Sequence, residues 1–232
     1  MIESVFEQLR LAETHGDLFR NIVSMRISQD LFNDLSDDPA AWEAAIQLEL
    51  ETKPKTFNSA MPIIHRPFEE AEWNDAIGFP FKNWMRSRYS DGSFGVWYGS
   101  DAIETSVYET VYHWHSRLLQ DAGFMQPGIK IERKVYRVRA DAALVDLRSA
   151  VKNFQALIDP NNYTLTHQVG ARLHREGHPG LITKSARCNG DVYAVLNPKV
   201  LSAPRQACYL TYITTGLGIA VEREPGKIWL TV

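Results

Sequence analysis

In the stretch "GIKIERKVYRVRADAALVDLRS", apolar and polar residues alternate over residues 129–138, and an apolar run restarts at Ala143. A period of two belongs to a strand that buries one face. The stretch is therefore expected to form two strands joined by a turn. On either side, apolar residues return at steps of three and four instead. Ile103, Val107, Val111, Trp114 and Leu118 make one such stripe, and Leu165, Val169 and Leu173 another. Each is the signature of a helix packed by one face. Asp101 with Glu104 has the spacing of a capping box and is expected to start the first helix. The second is expected over residues 163–176, ended by Gly177 and Pro179. Further strands are expected at 94–98, 181–184 and 192–196, and the run from Ala207 to the end has room for more than one. Clustered strands with intruding helices give an α+β fold with a mixed β core and flanking helices.

The N-terminal part reads differently. Val5, Leu9 and Ala12 keep a helical step, "HGD" interrupts at 15–17, and Leu18, Ile22 and Met25 resume it. Asp38 before Pro39 is a start signal for another helix in "DDPAAWEAAIQLELE". Residues 1–60 are thus expected to be an N-terminal helical extension, with the main domain at 61–232. Residues 53–80 read as irregular chain.

Composition removes several function classes. The chain has 232 residues, 44% of them hydrophobic, enough for one real core. Its 25 basic and 28 acidic residues give a net charge of −3, which argues against direct nucleic-acid binding, since that needs a basic surface. A few arginines in a cleft still suffice for a small anion. The two cysteines, Cys188 and Cys208, make neither a disulfide framework nor a zinc spacing. No signal peptide and no apolar run of about eighteen residues is visible, so a cytoplasmic protein with no membrane contact is expected. Gly216 and Gly218 lack the third glycine of a dinucleotide fingerprint, and a strand follows them. His113 and His115, two apart on a helix, diverge, so no metal is expected.

Four pieces remain: "HRPF" at 65–68, "RSRYSDGSFGVWY" at 86–98, Glu109 on its helix, and "PGLITKSARCNGDVYAVLNP" at 179–198. Taken singly, each side chain has a structural reading: a surface arginine, a core tyrosine, an exposed glutamate, a serine at a strand end. Taken together, their order resembles the RES domain, a family named for its Arg, Glu and Ser. "VWYGSDAIETSVYE" and the "SAR" after "PG" carry most of the resemblance.

The resemblance implies a fold related to ADP-ribosyltransferases and a toxin of a RES–Xre toxin–antitoxin module that consumes NAD. Members cleave the nicotinamide–ribose bond by phosphorolysis or transfer ADP-ribose to protein. NAD would be a substrate, with inorganic phosphate as co-substrate and no resident cofactor. The implied partner is an Xre-type helix-turn-helix antitoxin, and a homo-oligomer within that complex is compatible with the family. Position by position, Arg66, Arg88, Tyr98, Glu109 and Ser185 match the family's residues, with Arg187 and Asn189 in the "SAR" neighbourhood. Glu109, Arg88 and Tyr98 are the implied catalytic group, and all seven the implied NAD-binding set. An NAD glycohydrolase, a protein ADP-ribosyltransferase and a non-catalytic partner-binding module are the competing readings. Chemically the set makes sense: a fixed carboxylate stabilises a ribosyl cation, and guanidinium forks grip phosphate oxygens.

Overall fold

The structure is a computed structural model that describes residues 2–7, 9–24, 72–115 and 126–232. Eight strands form one mixed sheet: β1 (Arg10–Val23), β2 (Trp97–Ser100), β3 (Lys130–Asp146), β4 (Gly180–Lys184), β5 (Asp191–Val195), β6 (Leu201–Thr215), β7 (Gly218–Glu224) and β8 (Lys227–Thr231). Their order is β1-β2-β5-β4-β3-β6-β7-β8, and β1 pairs with β3 as well. That extra pairing runs from Arg10–Asp146 to Val23–Arg133, while β1 meets β2 at Phe19–Ser100. Strands β1, β2, β5, β4 and β3 therefore close into a ring. Strands β6, β7 and β8 continue outward from β3.

The described α-helices are α1 (Ile2–Phe6), α2 (Phe79–Lys82), α3 (Ile103–His113) and α4 (Thr164–Arg175), with a π-helical turn, Asn74–Gly78, leading into α2 and short 3-10 turns elsewhere. The fold is mixed α+β, as the sequence pattern implies. Among the described residues no helix is long and apolar enough to cross a membrane.

Strand β3 is the axis of the sheet, and it is one strand, not the expected two. Both of its faces are covered, which breaks the alternation. Val135 packs with Val107, Val111 and Trp114 of the α3 side. Its neighbour Tyr136 packs on the opposite face with Val138, Ala140, Ala76 and Ile77. The "ADAA" stretch is continuous strand because Asp141 pairs with His15 of β1, and the two side chains meet at 3.0 Å. Near its end β3 exchanges partners: β6 runs beside residues 130–140, whereas Val145 and Asp146 pair in parallel with Leu181 and Ile182 of β4.

Three other expectations need correction. Residues 10–23 are strand β1, not helix. Leu18 and Ile22 are four apart, and an even spacing fits a helical turn and a strand face equally well; both pack on the Tyr136 side of the sheet. Helix α3 starts at Ile103 with Ala102 as its cap and no side-chain cap. The Asp101 N–H instead donates to the Asp191 carbonyl at 3.1 Å, tying the start of α3 to β5. Residues 72–82 are helical rather than irregular. The proposed helix at 37–51 lies outside the described residues.

Helix α4 ends as expected: Gly177 has φ +78°, and the His178 N–H reaches back to the Leu173 carbonyl at 3.0 Å. The final run holds most of β6 together with β7 and β8, so Gly216 of "TTGLG" lies in the turn that joins β6 to β7 and Gly218 opens β7.

Candidate functional site

A cavity of about 360 Å³ opens where α3 crosses the edge of the closed ring. This lies within the range of roughly 300–1,000 Å³ in which small-molecule ligands are held. Strand β1 supplies Arg20 and Asn21, β2 supplies Tyr98, and the segment before β2 supplies Arg86, Ser87 and Arg88. Glu109 and His113 come from α3, and Tyr163 and Lys184 complete the wall.

Glu109 is fixed from one side. The Ser185 hydroxyl donates to its Oε1 at 2.6 Å. The Ser185 oxygen in turn accepts the backbone N–H groups of Arg187 at 2.9 Å and Cys188 at 3.2 Å. With its lone pairs so occupied, the buried serine has one direction left for its proton, toward the carboxylate. The second carboxylate oxygen is left for a ligand. Gly190 makes this approach possible, because a Cβ there would collide with the Thr105 side chain on α3.

Among the described residues no carboxylate pairs with Arg88. Its guanidinium donates to the Asp159 carbonyl at 2.8 Å and lies 4.7 Å over the Tyr163 ring. Its charge is therefore oriented but not neutralised. Tyr98 donates to the Ser87 hydroxyl at 2.9 Å and accepts the Tyr89 N–H at 2.9 Å. Burial pushes its hydroxyl above the ordinary phenol range, so it stays protonated at neutral pH. It braces the 87–89 segment that carries Arg88. Gly170 of α4 presses against the Tyr89 carbonyl, a contact that any side chain would prevent.

Arg20 is the residue that sequence reasoning missed. Its one hydrogen bond among the described residues is a long 3.4 Å contact to the Tyr98 carbonyl, and its guanidinium lies 5.6 Å from the Trp97 ring centroid. Its Nε is buried without a partner among the described residues. Burial, with Arg133 nearby, pulls its pKa down to about 10. A half-buried arginine beside a second one, with no acid within ion-pair distance among the described residues, carries a charge that none of the described side chains neutralises. The signal in the sequence was an arginine between Leu18 and Ile22, legible only once that segment is read as a strand.

Lys184, which is not one of the expected residues, and the remaining expected ones divide. Lys184 lines the cavity but its ammonium pairs with Asp191 at 2.6 Å, and Asp191 also pairs with Arg148 at 2.8 Å. Arg187 faces a different cavity, between α3 and the β6–β7 turn. Its guanidinium lies 3.2 Å over the Tyr112 ring and donates to the Pro160 carbonyl at 2.7 Å. Asn189 is exposed and does not line the cavity. Arg66 lies outside the described residues. Glu109, Arg88, Tyr98 and Ser185 are thus brought together, with Arg20 added. Among the described residues no cluster of three His, Cys, Asp or Glu side chains could hold a metal ion.

The family model of the RES domain matches residues 63–215. The chain belongs to the RES domain family. Strand β1, and with it Arg20, precedes the matched RES segment. Among solved structures, a chain of the M. tuberculosis MbcT–MbcA toxin–antitoxin complex is similar to this RES protein at 11% identity and a TM-score of 0.47. The match covers 89% of this chain and 91% of that one. No curated protein matches the sequence significantly.

Proposed function

We propose that this RES protein is a toxin that consumes NAD by breaking its nicotinamide–ribose bond, with inorganic phosphate as the acceptor. The observation that carries the reading is the convergence of one fixed carboxylate, Glu109, with the guanidinium groups of Arg88 and Arg20 on one cavity. NAD has complementary parts, a diphosphate at its centre and a cationic ring on a ribose at its reacting end.

In this reading the arginines hold the diphosphate, Arg88 oriented by the Asp159 carbonyl and Arg20 gaining the anion that its burial calls for. The ribose C1–nitrogen bond then breaks, and its electron pair goes to the pyridinium nitrogen. Nicotinamide departs neutral, so no general acid is needed. Positive charge builds on the ribose, and Glu109, aimed by Ser185, stabilises it. A phosphate oxygen bonds to C1 and gives ADP-ribose 1″-phosphate. One preorganised charge of this kind supplies roughly 3–4 kcal/mol. The family's association with RES–Xre modules supports an Xre-type helix-turn-helix antitoxin as the partner that neutralises the activity.

Incubating the purified protein with NAD, with and without phosphate, and identifying products by mass spectrometry tests the reading. Phosphate-dependent formation of nicotinamide and ADP-ribose 1″-phosphate is expected. Free ADP-ribose without phosphate would make it a glycohydrolase, and a labelled protein acceptor would make it a transferase. Intact NAD in every arm would leave a non-catalytic binding module.

A further inference from the structure

The loop between β4 and β5, residues 185–190, is fastened to α3 at three points along one face of the helix. Gly190 lies against Thr105, Ser185 bonds Glu109, and the Arg187 guanidinium covers Tyr112. Thr105, Glu109 and Tyr112 are spaced by four and three residues, so they stack one above the other. The first contact depends on the absence of a side chain, and the second is the functional one. The third is a charge placed where it binds nothing in the cavity.

Arg187 also reaches beyond α3. Its donation to the Pro160 carbonyl docks it on the turn at 159–162. That turn is rigid, since the Asp159 carboxylate accepts the N–H groups of Asn161 and Asn162 at 2.8 and 2.7 Å. The Tyr112 hydroxyl donates to Asn161 at 2.7 Å, and the Asp159 carbonyl holds Arg88. One short turn thus orients Arg88 on the cavity side and Arg187 on the other.

We propose that Arg187 is a positioning residue: clamped between the Tyr112 ring and Pro160, it holds the 185–190 loop on α3 so that Ser185 keeps its proton on Glu109. The backbone makes the link direct, because the Arg187 N–H is itself a donor to the Ser185 oxygen. Displacing the guanidinium frees that N–H, releases the serine's second lone pair and lets its hydroxyl rotate away from the carboxylate. The resemblance implies Arg187, in the "SAR" neighbourhood, as part of the NAD-binding set. The geometry gives it a different task.

The inference rests on the NAD reading for its kinetic arm but not for its structural one. Arg187→Met keeps the long stem and removes the guanidinium. It should lower kcat for NAD about ten- to a hundredfold, with KM for NAD and for phosphate unchanged, because a small misplacement near the reacting centre acts on the transition state. In the Ser185→Ala background the same substitution should cause no further loss, and Arg187→Lys should restore little, since an ammonium lacks the flat face that covers the ring. By hydrogen exchange, the amides of residues 187 and 188 should exchange faster in Arg187→Met while the melting temperature stays within a few degrees. A raised KM for phosphate, or losses that multiply in the double variant, would overturn the proposal. If wild-type protein leaves NAD intact, the NAD reading fails alone, and unchanged exchange at 187 and 188 would then overturn the clasp on its own terms.

Discussion

The two walls of the cavity are built on opposite terms. On the α3 wall Glu109 is bonded to Ser185, whose oxygen is itself bonded twice, and Tyr112, Arg187 and the 159–162 turn support it from behind. On the β1 wall, Asn21 is satisfied by Tyr212 at 2.8 Å and by Arg133 at 2.9 Å. Beside it Arg20 has an unpartnered Nε and, among the described residues, no acid. The acid side is preorganised in the free protein, with Ser185 fixed on one oxygen of Glu109. The cationic side carries an unmet charge that a ligand would neutralise. A site of this kind trades stability of the empty protein for affinity, and the contrast can be attacked from either wall.

Glu109→Gln should have the largest effect. It keeps the shape and the Ser185 contact but removes the charge, so nicotinamide release should fall about a hundred- to a thousandfold with the fold intact by circular dichroism. Arg20→Met should come next, and it should move two readouts in opposite directions. KM for NAD should rise at least about tenfold, since each hydrogen bond to a charged group is worth about 1.5–3 kcal/mol. The empty protein should gain about 1 kcal/mol or more, read as a melting temperature a few degrees higher. The sign follows from the lowered pKa: the folded state disfavours the charged form, so the penalty is in force at every pH below about 10 and is relieved only above it. A fall in stability would mean that Arg20 is a structural cation.

Arg88→Lys should do less. The charge survives but the fork that spans the Asp159 carbonyl and a phosphate does not, giving a five- to tenfold rise in KM, by about 1 kcal/mol. Tyr98→Phe should be the mildest for chemistry. It unties the Ser87 hydroxyl and the Tyr89 N–H, which should cost about 1 kcal/mol in a urea titration. Because burial raises the Tyr98 hydroxyl above its usual range, the wild-type and Tyr98→Phe enzymes should share one pH–rate profile up to about pH 10.

The same two walls differ in how far the sequence revealed them. Helix α3, helix α4 and β5 were legible from their periodic apolar residues, and β4 from a short apolar run that follows Pro179 and Gly180 and is buried on both faces. Glu109, Tyr98 and Ser185 were brought into one neighbourhood by the resemblance to the RES domain, since each alone has an ordinary structural reading. Strand β1 was hidden because Thr14, Gly16 and Arg20 occupy its inward positions, leaving only Leu18 and Ile22 to speak for a face. Strand β3 was split in two because it is covered on both faces. Arg20 could not be found from spacing. Its role depends on β1 closing the ring beside β2, a long-range pairing that no local pattern encodes.

The central claim is that the Glu109 wall faces the reacting end of NAD and the Arg20 wall faces its diphosphate. A crystal structure of the Glu109→Gln protein with NAD tests this most directly. The account predicts the nicotinamide-bearing ribose against position 109 and the diphosphate within hydrogen-bond distance of Arg20 and Arg88. NAD bound in the reverse sense, or an empty cavity at saturating NAD, would contradict it.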